Sequence, residues 1–429
     1  MRNKAIPATA ISMALWSGTA QAGPDLSDIF QFHAYGTADV VHSSQSEADF
    51  VSSSTQQTQG AGYTRGWSPD VDSKLAVQLD GHFTDKLSAV VQLISENDQN
   101  SSWTGKPNPR YRPSLEWANV KYAVTDEFSV RVGRMVLPFN MLSEYRNVGY
   151  SLPFVRAPVE LYGGLPFTNF DGGELSYSRH FGDVTNSVVG GVGSTTIRGS
   201  AVAAQARLSL LTDTVEVGAL TVHAMASLGE FTTPLGFGTL FDDFAQAAGT
   251  VPGGEDAAST ADYLDGRYNT LHWSRVQTYD VGVSYDPGRW FGMLELQRSY
   301  NSGLAGELGS GFVAFGYRAR ALTPYATYAR VINGHPESPS IPLTGLPPPL
   351  AAYGATLNGI VAGINSGNTS QQTLAGGLRW DFMKSLDLKV QYEYVRLDAA
   401  STGLFVNEQP GFRRGSTASV FSAAVDFAF

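Results

Sequence analysis

The chain has no cysteine among its 429 residues, which excludes disulfide staples and thiolate metal centres. Histidine is sparse too. His33, His42, His82, His180, His223, His272 and His335 are scattered, and none sits at an H-E-x-x-H or similar ligand spacing. No G-x-S-x-G elbow occurs, and Gly306 to Gly311 is not a nucleotide fingerprint. The expectation is a non-enzymatic protein with no metal and no cofactor. Basic residues are outnumbered, with 29 Lys and Arg against 39 Asp and Glu, for a net charge of −10. Nucleic acid is therefore not an expected partner, because binding it needs a basic surface. No segment approaches the ~20 apolar residues that cross a bilayer as a helix.

The start of the chain reads as a leader. Arg2 and Lys4 precede a small, mostly apolar stretch from Ala5 to Gly18, which runs on to Ala20-Gln21-Ala22. This is the layout of a secretory signal peptide cleaved between Ala22 and Gly23. Losing Arg2 and Lys4 lowers the basic count from 29 to 27 and takes the net charge from −10 to −12. The expected organisation is 1–22 signal peptide and 23–429 a single transmembrane β-barrel.

What is abundant is glycine (46 residues), aromatics (19 Tyr, 23 Phe, 7 Trp) and alternation. Phe421, Ala423, Val425, Phe427 and Phe429 fall on one side of an extended chain, and Ser422, Ala424 and Asp426 on the other. The same period predicts sixteen strands near 31–42, 73–83, 87–96, 114–123, 127–134, 172–181, 184–194, 201–210, 215–228, 273–285, 290–299, 310–319, 324–333, 371–381, 386–397 and 418–429. Turn residues mark short connections at Thr84-Asp85-Lys86, Thr125-Asp126-Glu127, Gly182-Asp183, Thr212-Asp213-Thr214, Asp286-Pro287-Gly288 and Lys384-Ser385. Longer connections alternate with them. That pattern predicts an all-β antiparallel barrel with short periplasmic turns, long outer loops, and its first and last strands paired so that no edge meets lipid.

Faces follow from phase. Leu75, Val77, Leu79 and Phe83 are expected to face lipid, opposite Lys74, Gln78, Asp80 and His82. Leu388, Val390, Tyr392 and Tyr394 are expected outside, opposite Asp387, Lys389, Gln391 and Glu393. Long strands with charges in the middle of one face suit a wet lumen better than a soluble sandwich.

The leader, the opening strand Phe32-His33-Ala34-Tyr35-Gly36-Thr37-Ala38-Asp39, the segment Gly172-Gly173-Glu174-Leu175-Ser176-Tyr177-Ser178 and the terminal Phe429 resemble Gram-negative outer-membrane porins. The resemblance covers the whole mature chain and rests on pattern. It implies an outer-membrane location amid lipid and lipopolysaccharide, a homotrimer, and Phe429 as a signal read by the barrel-assembly machinery. It also implies that the third outer loop, 135–171, folds into the lumen and narrows it. The charges of that loop, Glu144, Arg146, Arg156, Glu160 and Asp171, would then face basic wall residues. The candidates for the wall are Lys74, Lys121, Arg131, Arg207, Arg379 and Lys389. Arg134 and Arg156 could equally brace the loop.

The leading functional expectation is a passive diffusion channel for small hydrophilic solutes and ions, filtered by size and charge at a constriction. A substrate-specific porin for a sugar, organic acid or phosphate is one alternative, and a closed structural or adhesion barrel another. The acidic loop 229–272 is expected to be solvated surface or an acidic mouth, with cation preference or divalent-ion binding left open. Segment 334–370, rich in Pro, Gly and Asn, is expected to be irregular and mobile.

Overall fold

The structure, a computed structural model, describes residues 29–98, 110–165, 167–198, 203–232, 239–268, 274–301, 306–334, 338–365 and 367–429. Ala22, Gly23 and the rest of the leader lie outside the described residues. Sixteen long strands form the barrel. They are β1 Phe30–Ser43, β2 Lys74–His82, β3 Leu87–Glu96, β4 Ser114–Ala123, β5 Phe128–Val136, β6 Asn169–Phe181, β7 Val184–Arg198 and β8 Ala203–Val217. The second half comprises β9 Leu220–Thr232, β10 Ser274–Tyr285, β11 Trp290–Asn301, β12 Glu307–Tyr317, β13 Leu322–Gly334, β14 Gln371–Met383, β15 Leu386–Leu397 and β16 Thr417–Ala428. Each pairs antiparallel with its neighbours in sequence, and β1 closes the ring by pairing with both β2 and β16. Phe429 completes the seam, because Ala34 and Phe429 exchange backbone hydrogen bonds of 3.0 and 2.7 Å. Closure satisfies every edge of the sheet, as a bilayer demands.

Alternation sets the faces as expected. Leu75, Leu79 and Phe83 are exposed on the outside of the isolated chain, as are Leu374, Trp380, Tyr392 and Tyr394. Asp387, Lys389, Gln391 and Glu393 are buried on the inside. Tyr122, Tyr285, Tyr317, Trp290 and Trp380 point outward next to the short turns, where an aromatic belt suits the headgroup layer.

Two connections depart from the sequence reading. Thr212-Asp213-Thr214 is not a turn. It lies inside β8, where Val188, Val189 and Ser187 pair with it, and the chain reverses instead after Val217. Gly218 supplies the reversal with φ +61, a left-handed conformation that costs a glycine nothing. Segment 334–370 contains a helix, Pro348–Asn365, where an irregular loop was expected. Proline is tolerated in a first helical turn because its missing N–H has no helical partner there, and the following run is rich in Ala and Leu. With Leu240–Gly249 and Glu255–Tyr268 from the acidic loop, this helix buries Phe241, Phe244, Leu264, Leu357 and Val361 in a separate outer cluster.

Candidate permeation site

The third outer connection lies inside the barrel. It is long, but apolar demand on the wall explains where it goes. The inward faces of β11, β12 and β13 carry Phe291, Met293, Phe312, Ala314, Tyr325 and Ala329, which an aqueous lumen would leave wetted. Leu142, Leu152, Phe154 and Leu161 of the loop cover them. At the base of the loop, Leu137, Phe139 and Phe167 pack on Leu208, Leu210 and Met225 of β8 and β9. Burying such side chains contributes about 1.5–3 kcal/mol each, so the loop is held as part of the core.

Polar contacts fix its course. Asn140 Nδ2 donates to Asp280 (3.0 Å), and the Met141 N–H donates to Glu295 (2.5 Å). The Tyr162 hydroxyl donates to the other oxygen of Glu295 at 2.6 Å. Arg156 is fully enclosed. Its guanidinium donates to Asp72 (2.9 and 2.6 Å), to both oxygens of Glu393 (2.9 Å each) and to Ser422 (2.7 Å). Burial alone would lower its pKa, but Asp72 and Glu393 outweigh that and hold the guanidinium ionised. Glu160 accepts from Gln371 (2.7 Å) and from the Thr373 hydroxyl. Burial raises its pKa above the usual carboxylate range despite those two bonds. Lys389 donates to the Gly149 carbonyl at 2.6 Å and to Asp426 at 2.8 Å. Arg379 donates to the Tyr150 and Leu152 carbonyls at 2.7 and 2.9 Å, with its guanidinium over the Tyr150 ring. Gly149 permits this approach: a Cβ there would stand 2.0 Å from Asp426 Oδ1.

These contacts sort the eleven charges read from the sequence. Arg156 and Glu160 do not face the passage but are buried braces of the loop. Arg379 and Lys389 face inward as expected, yet they bind loop carbonyls and neighbouring carboxylates. Asp171 is not in the loop at all. It lies in β6 on the outward face and pairs with Arg134 through bonds of 2.8 and 2.7 Å. Arg207 also faces outward, because it shares a face with the exposed Leu211 and pairs in register with Glu230. The inward residues on this part of β8 are the apolar Leu208 and Leu210, covered by the loop, so its polar alternate set lies outside.

Five charges remain at the passage. Glu144 and Arg146 stand on the free side of the loop, Glu144 exposed and Arg146 half-buried. Lys74, Lys121 and Arg131 face inward from β2, β4 and β5, where the loop also touches the wall through Val148, which packs on Ala76 and Ile94, and Thr168, which donates to Glu116. Lys121 and Arg131 are cross-strand partners, and Arg131 also contacts Glu174 at 3.2 Å. The sequence reading missed the anchors Asp72, Asp280 and Glu295. The inward phase of Asp280 and Glu295 was readable from β10 and β11, whereas Asp72 precedes β2 in the first outer loop and has no strand phase; the loop partners of all three were not readable.

No family model and no curated protein sequence matches this chain. Solved structures do. Salmonella typhi OmpF in complex with daunomycin aligns with a TM-score of 0.53 at 12% identity, over 93% of this chain and 97% of its own. The anion-selective porin from Comamonas acidovorans aligns at 0.51 and 12%, over 93% and 99%. This chain has the porin fold. The outer membrane channel DcaP of Acinetobacter baumannii aligns likewise, at 0.51 and 11% over 95% and 100%. Porin-type barrels of this kind belong to the Gram-negative outer membrane, and the outward apolar belt of the chain suits that setting.

Proposed function

We propose that the protein is a passive outer-membrane channel for small hydrophilic solutes and ions. The observation that carries this reading is the asymmetry of the infolded loop. Most of it is bonded and packed to β8–β16 and, through Val148, to β1–β3, while Glu144 and Arg146 make no side-chain bond among the described residues and stand among the inward-facing Lys74, Lys121 and Arg131. Confined between such walls, water screens poorly, so opposed charges filter by sign as well as size. A closed structural barrel is the second reading. It is favoured by the first and last outer loops, which join through the Asp49–Val406 backbone pair and the Phe50–Phe405 ring contact and pack on Val159 of the infolded loop.

Bilayer recordings in asymmetric salt separate the two. A channel conducts, and its reversal potential moves toward anion preference in Glu144→Gln and toward cation preference in Arg146→Gln. Absence of any conductance supports the closed barrel, and conduction with unmoved potentials in both variants removes these residues from the filter. Export by the 1–22 leader, a homotrimer, and recognition of Phe429 by assembly machinery complete the proposal. Removing Phe429 is expected to lower the yield of heat-modifiable barrel in the outer membrane.

A further inference from the structure

A cavity of about 80 Å³ opens between the first outer loop, the infolded loop and the inward ends of β1, β2 and β3. Five polar side chains that line it, Lys74, Glu96, Arg146, Gln56 and Asn147, have no side-chain hydrogen bond or ion pair among the described residues. Their neighbours do: Asp72 and Arg156, at the same cavity, satisfy one another. Lys74 and Glu96 are direct cross-strand partners on one face, both half-buried, and still do not close to an ion pair. Half-buried groups of both signs, left unmatched and converging on one space, are what a polar ligand would complete.

We infer that this cavity is a resting site for small zwitterionic α-amino acids. Lys74 and Arg146 take the carboxylate, Glu96 takes the ammonium, and the amides of Gln56 and Asn147 serve whatever hydrogen-bonding capacity is left. A simple anion would meet Glu96 uncompensated, and a simple cation would meet Lys74 and Arg146. A water needs roughly 10–15 Å³ of such space, so the cavity suits a solute of only several heavy atoms, such as glycine. The inference rests on the reading of the barrel as an open channel.

The test is current through the purified channel in potassium chloride with glycine, acetate or methylammonium added in turn. Glycine is expected to reduce or modulate the current at about tenfold lower concentration than either singly charged solute. Lys74→Gln and Glu96→Gln are each expected to abolish that preference. Equal potency of acetate or methylammonium overturns the inference, as does indifference to all three solutes or survival of the preference in both variants. A folded barrel with no chloride or potassium current refutes the channel reading instead. The wild-type comparison of solutes decides the matter even if a variant fails to assemble.

Discussion

Arg156 joins the loop, β15, β16 and the approach to β2 through one guanidinium. Removing it strands Asp72 and Glu393 as buried carboxylates without a counter-charge. Breaking a buried pair in this way costs about 3–5 kcal/mol, far more than the pair contributes as a net gain. Arg156→Ala is expected to release the loop, seen as faster proteolysis between residues 140 and 160 and as noisier current with the barrel intact. Glu160 gives a pH test of the same anchorage. Its folded pKa is raised above the ordinary 4.5, so folding favours the protonated form. Its stabilising contribution is present below the ordinary value and is lost as pH rises through the raised one. Glu160→Gln is expected to flatten the pH dependence of urea unfolding between the ordinary and the raised value. An unchanged slope would show the carboxyl to be solvated. Both side chains were visible in the sequence as loop charges. Spacing alone does not say whether a charge inside a barrel meets water or another charge, so bracing by Arg156 stood beside a role in the passage, and Glu160 was read only as a passage charge.

At the scale of elements, strands were legible and loops were not, for a physical reason. A wall strand has lipid on one side and a polar interior on the other, and that difference is written into every second residue. Loops answer to one another. The helix Pro348–Asn365 is apolar because it packs on Leu240–Gly249 and Glu255–Tyr268, which are distant in sequence. The apolar patch on β11–β13 likewise makes sense only once Leu152 and Phe154 are placed on it. The outer helical cluster shares few contacts with the wall, so it should yield separately. Phe244 is fully buried there, and Phe244→Ala is expected to cost about 3–5 kcal/mol confined to the cluster. Proteolysis within 240–268 and 338–365 should rise while the barrel keeps its heat-modifiable migration. Simultaneous loss of the barrel would make the cluster an integral part of the fold.

For the whole molecule, selectivity should depend on ionic strength in a way that stability does not. The barrel is held by closed backbone ladders and by buried contacts, both largely immune to salt. The proposed filter instead acts through water among Glu144, Arg146, Lys74, Lys121 and Arg131. The screening length falls from about 10 Å at 0.1 M salt to about 3 Å at 1 M. Charges that act on a permeating ion through water are then felt in dilute salt and hidden in concentrated salt. The ratio of cation to anion permeability, taken from reversal potentials at a fixed gradient, should therefore approach unity as mean salt rises. Urea unfolding should stay nearly constant over the same range. A permeability ratio that holds at high salt would instead place selection in dehydrated contacts, at the narrow site between Lys74 and Glu96, where screening does not reach.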